Sequence, residues 1–123
     1  MATIIKQQHS YGEIVPEGAY LADLLKAEQF ENAHGERIGL VFQIAEGEAE
    51  GACVNFTAAP KLTRQSKLTL FIQGLLGREL TDHEMLEGFD LDTLAGHRYA
   101  IQAKHDKGRT GNQYAEVCRA VPA

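Results

Sequence analysis

The 123-residue chain has no tryptophan, two cysteines, three prolines and no apolar run of membrane length. Each shortage excludes something. Cys53 and Cys118 fall in separate predicted strands without CxxC spacing, so they make neither a disulfide framework nor a zinc site. Both are expected as buried or half-buried free thiols. The five histidines are scattered with no pair at ligand spacing, so no metal is expected. A membrane span needs about 20 consecutive apolar residues, and none is present. The opening MATIIKQQHSYGEIVPEG is broken by Lys6 and two glutamines before a signal-peptide core can form, which makes a cytoplasmic location the default. Ser10 and Ser66 lack a nucleophile-elbow context. The turn Lys107-Gly-Arg-Thr-Gly111 lacks phosphate-loop spacing. Glu84, Glu87, Asp90 and Asp92 fit helix-capping acids better than a cation site. Neither an enzyme nor a cofactor is expected.

Charge is present but uneven. The net charge of −5 argues at first against a polyanionic partner. Residues 1–60, however, hold 3 Lys/Arg against 9 Asp/Glu, whereas residues 61–123 hold 9 against 8. Lys61, Arg64, Lys67 and Arg78 follow one another with no acid between them. Arg98, Lys104, Lys107, Arg109 and Arg119 form a second group, interrupted only by Asp106 and Glu116. The acids of the second half gather in 79–92. A local positive surface on an acidic protein is therefore expected.

The chain has the length of one domain. Residues 1–16 predict a flexible N-terminal arm, and the domain proper spans 17–123. Pro16 and Gly18 before AYLADLLKAEQFE, Tyr20 near its start, and Asn32-Ala-His-Gly35 behind it favour a strand and hairpin over a helix. In 36–46 Ile38, Leu40, Phe42 and Ile44 alternate with Arg37, Gly39, Val41 and Gln43, with a bulge or bend expected at Gly39. Val54 and Phe56 share one face of a third strand, opposite Cys53, Asn55 and Thr57. The period then turns helical: Leu68, Phe71, Ile72, Leu75 and Leu76 form one stripe, with Thr63 as N-cap and Gly77 as the stop. Thr81-Asp-His-Glu84 is a capping box for a second short helix, and Asp92–Gly96 a further turn. Strands at 98–105 and 113–121 flank a charged glycine-rich hairpin. The order β-β-β-α-β-β in a mainly β domain with an inserted helix is that of the five-stranded Greek-key OB-fold barrel.

PEGAYLADL, GLVFQI, Lys61-Leu-Thr-Arg-Gln-Ser-Lys-Leu68 followed by GLLGREL, and the closing QYAEVCRAV resemble small phage and prophage OB-fold proteins akin to single-stranded DNA-binding proteins. The resemblance covers roughly residues 16–121. It implies non-sequence-specific binding of single-stranded DNA in phage-type replication or recombination, phage replication or recombination proteins as partners, and a host-cytoplasmic location. Bacterial single-strand binders carry an acidic C-terminal tail that recruits partners. This chain ends Arg119-Ala-Val-Pro-Ala123, so in a strand binder that mode of recruitment is expected to be absent or to lie elsewhere.

A helix N-terminus offers free N–H groups to an anion, and the Lys61–Lys67 segment surrounds the start of the predicted helix with cations. The expected contacts to single-stranded DNA are Arg37 on the second strand, Lys61, Arg64 and Lys67 at the helix start, and Lys104, Lys107 and Arg109 on the last hairpin. Tyr114 is the expected stacking platform, with Tyr99 and Tyr20 behind it. Phe42, Phe56 and Phe71 are expected in the core. The rival reading is a protein-interaction module on the same barrel, without nucleic-acid affinity. A homo-oligomer is compatible with both, and neither involves a membrane.

Overall fold

The computed structural model describes residues 15–33, 35–107 and 113–123. Five strands are joined in one closed barrel: β1 (Gly18–Asn32), β2 (Gly35–Ile44), β3 (Cys53–Ala58), β4 (Arg98–Lys107) and β5 (Gln113–Pro122), in the order β1-β2-β3-β5-β4. β1 is long enough to serve two neighbours. Its first part pairs with β4, from Gly18 opposite Ala103 to Asp23 opposite Arg98. From Ala22 onward it pairs with β2, ending at Asn32 opposite Gly35. β5 closes the cylinder by running parallel to β3, at Asn55 and Glu116. The barrel is mainly β, as the alternation in β2 and β3 leads one to expect. Ile38, Leu40, Phe42, Ile44, Val54 and Phe56 all point inward and are buried. Each such side chain contributes roughly 1.5–3 kcal/mol by leaving water.

Helix α1 (Lys67–Leu76) lies between β3 and β4 and packs its apolar stripe on the barrel, burying Leu68, Phe71, Ile72 and Leu75. Its cap is Ser66, not Thr63. Residues 63–66 form a turn in which the Ser66 amide donates to the Thr63 carbonyl. The Ser66 hydroxyl then donates to the Lys61 carbonyl at 2.7 Å and accepts from the Thr69 amide at 3.3 Å. Gly77 ends the helix in the left-handed region at φ 73°, where a side chain would be strained. Helix α2 (Asp82–Glu87) opens with the expected capping box, and a 3-10 turn at Leu91–Leu94 leads into β4. Among the described residues no helix is long and apolar enough to cross a membrane.

The bulge lies elsewhere than expected. The register slips between Leu24 and Lys26 of β1, whereas Gly39 pairs regularly with Glu28 and Thr57. Gly39 instead makes room for a ring: a Cβ there would stand 3.1 Å from Cε1 of Phe30. Cys53 is exposed rather than buried or half-buried, because it belongs to the outward set of β3. Cys118 is half-buried and its thiol points at the Gln102 carbonyl, 3.4 Å away. Of the expected arm, residues 1–14 lie outside the described residues. Val15 is buried in the core, and its carbonyl accepts a hydrogen bond from His105 Nε2 at 2.8 Å.

Gly74 sits where α1 passes over β5, and a Cβ there would meet the Ala120 carbonyl oxygen at 2.7 Å. Gly74→Ala gains up to ~1 kcal/mol of helix propensity but must push the helix off the strand. Chemical denaturation should show a net loss of about 1–3 kcal/mol. A stabilised variant would mean that the helix shifts freely.

Candidate nucleic-acid interface

Outward positions of neighbouring strands line up across the barrel wall. Lys26, Val41 and Asn55 are successive partners on β1, β2 and β3, and Asn55 is level with Glu116, which faces Lys104 on β4. At about 4.8 Å per strand this row spans about 19 Å along the curved surface. Beside it run Glu28, Gly39 and Thr57, then Phe30 opposite Arg37. The centre of the face is polar and uncharged (Gln43, Asn55, Thr57), with both signs of charge at its margins. Gln43 Nε2 donates to the Gly51 carbonyl at 3.3 Å, tying this face to the β2–β3 turn.

An aromatic overlooked in the sequence stands on this face. Phe30 is 39% exposed and its ring lies over Gly39, beside Arg37. Gly39 itself was the available signal, since a glycine inside a strand marks a close approach as often as a bulge. Of the tyrosines, Tyr114 is 43% exposed. Tyr99 is not available for stacking: it is buried, and its hydroxyl donates to the Leu94 carbonyl at 3.0 Å. Burial also pushes its phenol above the ordinary tyrosine value. Tyr20 is half-buried, with its hydroxyl donating to the Pro16 carbonyl at 2.6 Å.

The expected cations divide into two kinds. Arg64 donates to the Leu80 carbonyl and to Asp82 Oδ1, both at 2.7 Å, and so fastens the loop before α1 to the start of α2. Arg78 grips both oxygens of Glu84 at 2.9 and 3.0 Å. Arg98 holds its cross-strand partner Asp23 in the same forked way at 2.9 and 3.3 Å. The run of cations at 61–78 is thus half consumed by acids of α2. Lys61 and Lys67 have no acidic partner among the described residues. They line a shallow depression of about 360 Å3 with Ala59, Thr63, Gln65 and Ser66. Lys67 Nζ also lies 5.1 Å from the centre of the Phe56 ring. A second depression of about 240 Å3, lined by Phe30, Arg37 and Pro60 among others, lies on the other side of the 59–61 segment. Lys104 is exposed. The backbone of Lys107 pairs with Gln113, but its side chain and the whole of Arg109 lie outside the described residues.

Phe30 and Arg37, at the end of the β1–β2 hairpin, line one depression with Pro60, and Lys61 and Lys67, at the start of α1, line the other with Ala59, so the 59–61 segment borders both. Tyr114 and Lys104 belong to the β4–β5 side of the face. No cluster of three or more metal-ligating side chains occurs among the described residues. Comparison of the chain with protein-family models and with curated proteins found no match.

The acid–arginine pairs set a pH dependence. Arg78, aided by the Thr81 backbone, holds the Glu84 carboxyl down at about 2, and Arg98 lowers that of Asp23. A carboxyl depressed by folding stabilises the fold above its unfolded value and loses that contribution as pH falls through the folded one. For Glu84 the loss runs from near pH 4.5 down to about 2. Glu84→Gln keeps the capping geometry but removes the charge. Its melting temperature should fall below wild type near neutral pH and converge with it near pH 2, followed by circular dichroism. A constant gap at every pH would contradict this role.

Proposed function

We propose that this protein is an OB-type barrel that binds single-stranded DNA across the outer face of β1, β2 and β3, in phage-type replication or recombination. The strand order β1-β2-β3-β5-β4, with a helix between β3 and β4, supports the OB reading. Such barrels bind oligonucleotides on the face of their second and third strands. The observation that carries the function is the exposed Phe30 ring seated on Gly39, beside Arg37 and one loop away from Lys61 and Lys67. A flat ring for a base and mobile cations for the backbone are the two parts that sequence-tolerant strand binding needs. The centre of the face at Gln43, Asn55 and Thr57 is uncharged, with Glu28 on β1 and Glu116 on β5 at its flanks.

The charge inventory sets the strength. Arg64 is occupied, so of the expected contacts Arg37, Lys61, Lys67 and Lys104 are the described cations left for phosphates. About four neutralised phosphates give a slope near −3 in log K against log salt, at roughly −0.7 each for single strands. The consumption of Arg64 and Arg78 by acids is the one observation that favours the rival, a protein-interaction module.

Fluorescence polarisation with labelled oligo-dT and a duplex control, over a salt series, tests the reading. Saturable binding that prefers single strand with a slope near −3 supports it. Phe30→Ala should cost about 1–3 kcal/mol of affinity, and Lys61→Glu/Lys67→Glu should flatten the salt slope by more than one unit. Absence of binding at low salt would overturn it in favour of the rival.

A further inference from the structure

Phe30 is the direct cross-strand partner of Arg37, yet its ring lies over Gly39, the diagonal neighbour two residues further along β2. Diagonal positions of an antiparallel pair are within reach of an aromatic side chain. The ring gets there because position 39 has no Cβ. One built on its backbone would stand 3.1 Å from Phe30 Cε1 and 3.8 Å from Cδ1, with Cγ of Glu28 at 3.7 Å. Carbon atoms pack best at about 3.5–4.0 Å, so only the ring would have to give way. The backbone does not ask for a glycine here. Its φ is negative, unlike those of Gly35, Gly47 and Gly77, and it pairs regularly with Glu28 on one side and Thr57 on the other. A glycine inside a strand weakens it, because it loses more backbone freedom on folding than any other residue. The one contact at this position that needs the missing Cβ is the ring.

We infer that Gly39 is a positioning residue for base stacking, an inference that rests on the single-strand reading above and names what sets its ring in place. A strand side chain ordinarily stands roughly perpendicular to its sheet. Without a Cβ beneath it, the Phe30 ring leans down along β2 and is braced there by the Gly39 backbone and the Glu28 stem. It still keeps 39% of its surface open, which is the surface a base would cover. A ring already held in its bound posture gives up little rotamer freedom when a base settles on it, and that ordering would otherwise subtract from affinity. A Cβ at position 39 would lift the ring off the strand, leaving the base a platform that is displaced and unbraced. A ring over a strand glycine also shields the glycine backbone, which is a service to stability alone. The two roles part company in what a side chain at position 39 does to affinity.

The test is a cycle of Gly39→Ala, Phe30→Ala and the double variant, titrated with labelled oligo-dT over a salt series. Gly39→Ser, a second small side chain at the same position, accompanies them, and thermal melting shows that each variant folds. Gly39→Ala and Gly39→Ser should each weaken binding roughly five-fold, the low end for a lost base stack. The salt slope should stay at the wild-type value, because no charge is touched. In the Phe30→Ala background the same alanine should change affinity by about two-fold or less, since the ring it displaces is gone. Wild-type affinity in both position-39 variants would assign the contact to stability alone and overturn the positioning role, leaving the strand-binding face standing. An equal loss with and without the Phe30 ring would overturn it too, because the effect would not pass through the ring. Failure of the wild type to bind any oligomer would remove the underlying reading as well.

Discussion

Phe71 of α1 lies on Phe56 of β3 with ring centroids 3.7 Å apart and planes within 11° of parallel; Phe71 also meets Phe42, and Phe42 meets Tyr99, so the four rings form one chain of contacts. Phe42 receives Phe71 edge-on at 6.1 Å and Tyr99 edge-on at 6.3 Å. These rings join the helix to three strands that are distant in sequence, so they fix where the barrel is plugged. A pair of this kind contributes about 0.5–1.5 kcal/mol beyond its area burial. Its larger effect is geometric. With Phe71 seated, α1 can approach β5 only where Gly74 passes the Ala120 carbonyl. The helix start is then held by Ser66, and Lys67 lies over the Phe56 ring. The cations at the helix start are placed by the core.

Much of this could be read from residues alone. The alternation in β2, the helical stripe, the Gly77 stop and the capping box are short-range patterns, and each survives in the structure because no tertiary contact competes with it. The N-cap was misplaced because Thr63 and Ser66 are both good caps one turn apart. Only the docking of Leu68 and Phe71 decides between them. Phe30 was missed for a different reason. Strand parity carried on from the buried Ala22 and Leu24 puts residue 30 inside. The slip at Leu25 reverses that parity, so Ala27 rather than Lys26 follows the inward side and Phe30 comes out. The adjacent leucines 24 and 25, one buried and one 46% exposed, are the only local trace of the slip.

Charge was harder to read, because proximity in sequence says little about pairing in space. The acid-free run from Lys61 to Arg78 looks basic in one dimension. Folding turns α2 back toward it and sets Asp82 against Arg64 and Glu84 against Arg78. These pairs are exposed, so each contributes modestly to stability. Their role is positional: Arg64 also holds the Leu80 carbonyl, and Leu80 is buried. The grouped acids at 79–92 therefore act as anchors for the loop that carries Lys61 and leave the β2–β3 face clear of them.

The division of labour between the two cationic residue types follows from their shapes. A guanidinium is planar and rigid and suits a fixed forked partner, whereas an ammonium on a flexible stem suits a partner whose position varies. Arg64, Arg78 and Arg98 each take fixed partners inside the molecule. Lys61, Lys67 and Lys104 are left at the surface, where a disordered phosphate chain of any sequence can be met without a fixed geometry. Arg37, like the exposed Arg119 of β5, breaks this rule. It is an arginine on the outer face without an acidic partner among the described residues, beside the one aromatic ring seated on a glycine. Its planar fork can meet two acceptors at once in a fixed arrangement, whereas the neighbouring lysines offer charge without a fixed geometry.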